Sequence, residues 1–265
     1  MTKWQRWSDA TPMADSPNHP IRTIAIDGPA GAGKSTIGLG LAKHLGFLYF
    51  DTGVMYRAVT LAALQRSIAP DDEDAVSQLA ESLRIEVSPP HVDDGRQYTV
   101  RTDGEDVTWA IRRADVDAAV SVVSAFPRVR RAMVAQQRRI AQAGNVVMVG
   151  RDIGTVVMPD ADLKIYLDAT VEARAWRRYR ELEARGTPSS YADVLASMKQ
   201  RDVLDTSRAT SPLRPANDAF IVDCTHMDAE ETLAHVIALV EAQNAARAGA
   251  QARSAVATGA PEDDA

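Results

Sequence analysis

The stretch Gly28-Pro29-Ala30-Gly31-Ala32-Gly33-Lys34-Ser35-Thr36 constrains this chain more than any other. It matches the phosphate-loop pattern GxxxxGK(S/T), with Gly28, Gly33, Lys34 and Ser35 in the defining places. The flanks fit the same motif. Ile21 to Ile26 is a short apolar run with β-branched residues, which predicts a buried strand. Ile37, Leu41 and Leu45 then recur at helical spacing, and Gly46 supplies a stop. Strand, glycine loop and helix in that order aim backbone N–H groups and a helix N-terminus at a phosphate. Lys34 is placed to reach the β- and γ-phosphates of a nucleoside triphosphate, and the Ser35 hydroxyl to ligate Mg2+.

Beyond the loop, strand and helix patterns alternate. Phe47 to Phe50 reads as a second strand ending in Asp51-Thr52-Gly53, followed by helices over Val54 to Ser67 and Glu73 to Leu83. The period then drops to two around Arg84 to Val87 and Gln97 to Arg101. Asp103-Gly104 is a hairpin signal, with a third strand expected over Glu105 to Thr108. Helical spacing resumes from Ile111 to Ala143, with a break at Pro127. Val146 to Val149 and Leu163 to Leu167 are continuous apolar runs of the kind found in central parallel strands. An arginine-rich helix over Val171 to Arg185 and a second helix over Tyr191 to Arg208 precede a last strand, Phe220 to Val222, and a closing helix, Glu230 to Ala246. The expected class is α/β, a three-layer phosphate-loop fold with a central parallel sheet, a small antiparallel insert and a helical lid. The expected division is a disordered leader over 1–20, one domain over 21–247 and a disordered tail over 248–265.

Composition narrows the partners. The formal net charge of −6 argues against bulk nucleic-acid binding. Apart from Lys3, Lys34, Lys43, Lys164 and Lys199, every basic residue is arginine, the side chain suited to bidentate phosphate recognition. One cysteine, Cys224, excludes an internal disulfide and reads as a buried structural thiol. The five histidines lack metal-ligand spacing. No apolar run is long enough to cross a membrane, and the N-terminus lacks the apolar stretch of a signal peptide. The expectation is a cytoplasmic monomer with no membrane or nucleic-acid partner.

Four further stretches carry a resemblance. They are Asp51-Thr52-Gly53-Val54-Met55-Tyr56-Arg57, Phe126-Pro127-Arg128-Val129-Arg130, Gly150-Arg151-Asp152-Ile153-Gly154-Thr155-Val156-Val157, and Arg201-Asp202 with Asp205 and Arg208. Together with the phosphate loop, the chain from Ile21 to the closing helix resembles the bacterial cytidylate kinases. The resemblance implies ATP-dependent phosphorylation of CMP and dCMP. It implies that Gly28 to Thr36 hold ATP and its Mg2+, and that Arg177 on the lid reaches the ATP phosphates. Lys34, Arg151 and Arg208 would carry the transfer. Arg57, Arg151 and Arg208 would hold the acceptor phosphate, with Thr52 donating nearby and Tyr56 in the same pocket. Ser121, Arg130 and Asp152 would read cytosine, and Arg201 and Asp205 would meet the ribose hydroxyls. The monophosphate-binding region would span about 52–121 and the lid about 171–208.

Each arginine also has a structural reading. Arg57 fits a solvated helix face, Arg151 an ion pair with Asp152, and Arg201 with Asp205 an i,i+4 pair. The lid helices carry Arg174, Arg177, Arg178 and Arg180 and little apparent apolar face, so charge repulsion is expected to keep them mobile. A carboxylate partner for Mg2+ should follow an apolar strand. Asp152 does so but is assigned to the base. Two other functions stay open from the residues alone: a phosphate-loop kinase for another small acceptor (shikimate, gluconate or another nucleoside monophosphate), and a nucleotide-dependent switch. The second should carry an Asn-Lys-x-Asp motif, which is absent.

Overall fold

The computed structural model describes residues 21–208 and 210–258, with side chains to residue 249. The expected leader, with Trp4 and Trp7, lies outside the described residues, as do residues 259–265. Five strands form a parallel sheet: β1 (Thr23–Asp27), β2 (Leu48–Asp51), β6 (Val146–Val149), β7 (Leu163–Asp168) and β8 (Phe220–Asp223). Their order is β2-β6-β1-β7-β8. The three inner strands are apolar and buried along almost their whole length, because helices cover both faces of a parallel sheet. Ile24, Ile26, Val147, Met148 and Leu167 are fully shielded from solvent.

The insert forms as expected. β3 (Ile85–Ser88), β4 (Thr99–Thr102) and β5 (Glu105–Asp106) make an antiparallel sheet in sequence order. Asp103 and Gly104 both take positive φ in the hairpin turn. β5 is shorter than the pattern suggested. Thr108 turns its hydroxyl onto the Val100 amide at 2.9 Å and leaves the ladder.

The helices are α1 (Lys34–Leu45), α2 (Gly53–Gln65), α3 (Glu73–Ser82), α4 (Ala114–Val123), α5 (Pro127–Ala141), α6 (Val171–Ala184), α7 (Tyr191–Thr206) and α8 (Ala229–Thr258). Pro127 breaks the chain between α4 and α5 by occupying the first turn of α5, where its missing N–H costs nothing. One expectation is corrected at α8. The helix continues to Thr258, so residues 248–258 are not an unstructured tail. This stretch is rich in alanine and has no proline before Gly259, so nothing stops the helix at Ala246.

Helices α6 and α7, the expected lid, correct a second expectation. α6 and α7 share a small apolar core of Ala175, Val194 and Met198, flanked by Val171, Tyr179, Leu182, Tyr191 and Leu195. Their arginines are not a bare repelling array either. Arg174 pairs with Asp202, Arg178 with Glu181 and Arg180 with Glu183. Among the described residues, no helix is long and apolar enough to cross a membrane.

Candidate active site

Because the strands are parallel, their carboxyl ends meet on one rim. Register places Asp51 beside Val149 and Val149 beside Ile26, so β2, β6 and β1 end together. The phosphate loop, the Asp51 turn and the Gly150-Arg151-Asp152 turn therefore share that rim, where ligands of open α/β sheets bind.

The phosphate loop runs from β1 into α1. Gly28 has φ 147°, and a Cβ there would lie 2.1 Å from the Leu167 carbonyl oxygen. No other residue type fits without moving β7. Pro29, Ala30 and Gly31 form the crest. Lys34 Nζ donates to the Pro29 carbonyl at 2.7 Å, and Arg174 Nη1 donates to the Ala30 carbonyl at 3.0 Å. Desolvation, and then the positive charge of Arg151, push the Lys34 ammonium down to about 7. Gly31, Ala32, Gly33, Lys34, Ser35 and Thr36 line a cleft of about 640 Å³. Its opposite wall is Arg177, Arg178 and Glu181 of α6 with Met227, Asp228, Ala229 and Thr232. Arg177 does line this cleft, but its guanidinium is engaged there. It donates to the carbonyls of Cys224 and Met227, the latter at 3.1 Å, and so ties α6 to the chain before α8. Cys224 is buried, with Sγ 3.1 Å from the Asp168 carbonyl.

The acceptor-side residues gather from four segments. Arg57 on α2 donates to the Ile111 carbonyl at 3.3 Å and pairs with Asp117 of α4. Asp205 is 1% exposed and holds two guanidiniums, Arg151 through Oδ2 and Arg208 through Oδ1. Arg151 thus pairs with Asp205 and not with Asp152, and Asp205 pairs across the site and not with Arg201 one helical turn back. Arg201 makes no ion pair among the described residues. Desolvation and the neighbouring Arg151 charge pull it below the usual arginine value, and desolvation does the same to Arg208.

The base-side pair is deeper. Arg130 Nη2 meets Asp152 Oδ2 at 2.5 Å, with both side chains under a tenth exposed. The guanidinium lies over the Tyr56 ring, 5.5 Å from its centroid. Burial pushes the Tyr56 hydroxyl up to about 12. Arg130 Nε is buried and has no hydrogen-bond partner among the described residues. Ser121, expected beside this pair, is exposed on α4. Thr52, expected near the acceptor phosphate, is buried with its hydroxyl donating to the Val149 carbonyl at 3.1 Å.

Several contributors escaped the sequence reading. Asp27, immediately before the phosphate loop, accepts from the amides of Ile153 at 2.8 Å and Gly154 at 2.7 Å. It thereby fixes the π-helical turn Ile153–Val157 that follows Asp152. Burial pushes its carboxyl up to about 6. A carboxylate closing an apolar strand was the available signal. Asp117 carried no local signal, since its pairing with Arg57 depends on which helices pack together.

Comparison with known proteins agrees with this geometry. A protein-family model described as cytidylate kinase matches residues 24–242. A cytidylate kinase of Chloroflexus aggregans is 57% identical over 201 residues, covering 76% of this chain and 86% of that protein. One from Herpetosiphon aurantiacus is 50% identical over 223 residues, covering 83% and 96%. One from Solibacter usitatus is 46% identical over 233 residues, covering 87% and 97%. Matches that span nearly the whole described chain, at such identities, place it in the cytidylate kinase family.

Proposed function

We propose that this chain transfers the γ-phosphoryl group of ATP directly to CMP and dCMP, giving CDP and dCDP. One observation carries the reading beyond family membership: Asp205 gathers Arg151 and Arg208 at the rim where β1 runs into the phosphate loop and Lys34. Guanidiniums gathered beside a phosphate loop suit a site where two phosphate groups are brought together. Arg57, Arg151 and Arg208 hold the acceptor phosphate, exchanging their carboxylate partners Asp117 and Asp205 for the dianion. The acceptor oxygen needs no base, because a phosphate monoester with a second pKa of about 6 is already anionic at pH 7. Catalysis is then alignment and charge stabilisation.

Ser35 and Asp51 present hard oxygen donors beside the loop, which suits Mg2+. When bound, the metal would neutralise charge on the transferring phosphate. The Arg130–Asp152 pair reads the base. The carboxylate accepts from the cytosine N4 amine, and Arg130 donates to N3 or O2. Uracil would set O4 against the carboxylate and its N3–H against the guanidinium. Asp205 and Arg201 flank the ribose, residues 171–208 form the lid and 52–121 the monophosphate-binding region. We take the working unit as a cytoplasmic monomer acting on free nucleotides. The test is ADP release with CMP, dCMP, UMP and AMP side by side. CMP and dCMP should exceed UMP and AMP by orders of magnitude in kcat/KM. Equal turnover of UMP would remove the base-pocket assignment.

A further inference from the structure

Resting on the ATP-binding reading above, the geometry points to Asp51 as the carboxylate that works with Ser35 on the metal of the bound nucleotide. Glu181 and Asp228 stand on the opposite wall of the cleft, and three of the carboxylates nearer the loop are engaged elsewhere. Asp152 is closed on Arg130, Asp27 accepts two backbone amides, and Asp205 holds Arg151 and Arg208. Asp51 is hydrogen-bonded to the phosphate loop itself. Ser35 Oγ donates to its Oδ2 at 3.1 Å. The other oxygen, Oδ1, accepts from the Gly53 amide at 2.9 Å, which fixes the carboxylate plane. Position 53 is built for this return. A Cβ on Gly53 would lie 3.0 Å from Asp51 Oδ1, so a side chain there would push the carboxylate away.

The hydrogen bond decides the role. With its one proton given to Asp51, the Ser35 hydroxyl can only present lone pairs to the loop, as a metal ligand must. Asp51 is therefore a positioning residue for Ser35, and its negative charge adds attraction for a divalent cation through intervening water. It does this from the end of β2, whereas β6, the strand next to the loop strand, ends in the apolar Val149. No group of three or more metal-ligating side chains exists among the described residues. The remaining ligands fall to water and the nucleotide phosphates, the ordinary arrangement for Mg2+.

The test is calorimetric binding of a non-hydrolysable ATP analogue, with saturating Mg2+ and with excess chelator. Asp51→Asn should cut the ratio of Mg2+-bound to metal-free affinity by about tenfold or more, as loss of an orienting partner does. Metal-free binding should be unchanged or tighter, because a repelling carboxylate is gone. Asp51→Ser, smaller and uncharged, should give the same pattern and covers the case in which the Asn variant folds poorly. An unchanged ratio in a folded variant, or equal weakening with and without Mg2+, would overturn the assignment and leave Asp51 as an anchor of its turn. CMP-dependent ADP release by the unmodified protein, run alongside, separates the two readings. Its absence would remove the acceptor proposal without touching the metal ratio.

Discussion

In the proposed reading, the donor and acceptor halves of the site are built from different materials. The donor half is largely backbone: nine consecutive residues, shaped by Gly28, where the closeness of β7 admits only glycine, with α1 starting from the loop itself. The acceptor half is side chain: arginines from α2, the turn after β6, α5 and the end of α7, most of them held by a carboxylate. A backbone cradle is ready for phosphate at all times. A set of paired arginines would, on the proposed function, exchange partners when phosphate arrives. The comparison predicts that damage to the donor half abolishes chemistry, while damage to the acceptor half redistributes stability, selectivity and affinity.

Lys34→Ala should show the largest effect. One charge-assisted contact to the transferring group is worth about 3 kcal/mol or more, a loss of at least roughly a hundredfold in kcat. Circular dichroism should remain that of the folded protein. A folded variant with near-normal turnover would break the claim that the loop carries the chemistry.

In the acceptor half, Asp152→Ala should cost stability as well as selectivity. It leaves the Arg130 guanidinium buried without its counter-charge, which costs about 3 kcal/mol or more. Urea unfolding should register that loss, and CMP use should fall more than UMP use. A midpoint equal to that of the parent protein would mean that Arg130 finds another partner or reaches water.

This contrast also explains what the sequence revealed. The phosphate loop, the parallel strands and the insert were legible because each is written in contiguous residues or a local period. The acceptor residues were legible as a set, through short motifs that resemble a family. Their partners were not. Arg57 with Asp117, Arg151 with Asp205 and Arg130 with Asp152 are 60, 54 and 22 residues apart, and no local pattern joins them. The expected mobility of α6 and α7 was misjudged for a different reason. Each helix carries an apolar stripe at helical spacing, Val171, Ala175, Tyr179 and Leu182 on α6 and Tyr191, Val194, Leu195 and Met198 on α7, and the many arginines drew the reading away from it.

A smaller effect concerns protons on the donor side. Lys34 is held down to about 7 by desolvation and the charge of Arg151. Bound phosphates should raise it. Below pH 7 the ammonium is already charged, and binding takes up no proton through it. Above pH 7 the free protein carries it neutral, so ATP binding should take up one proton. Affinity should then fall by up to about tenfold per pH unit until the bound-state value is passed. Calorimetry at pH 8 in buffers of different ionisation heat measures the uptake directly. A net uptake of zero would mean that Lys34 is charged before ATP arrives.

The smallest expected effect tests the exchange of partners itself. Arg57 is about one-third exposed and its partner Asp117 about half, at 33% and 55%. Such a pair is worth up to about 1 kcal/mol, and the acceptor phosphate must displace it to reach the guanidinium. Asp117 then acts as a resident competitor for the arginine. Asp117→Asn should tighten CMP binding by about two- to fivefold, the range this energy allows. Asp117→Glu, which keeps the charge, should stay near the parent value. Thermal stability should change little, since Arg57 retains the Ile111 carbonyl. The alternative is that Asp117 aims Arg57 at the phosphate, in which case the Asn variant binds CMP more weakly. The sign of the change in CMP dissociation constant, measured without ATP, separates the two. A weaker Kd would show that this arginine is preorganised by its carboxylate, as the donor loop is by its backbone.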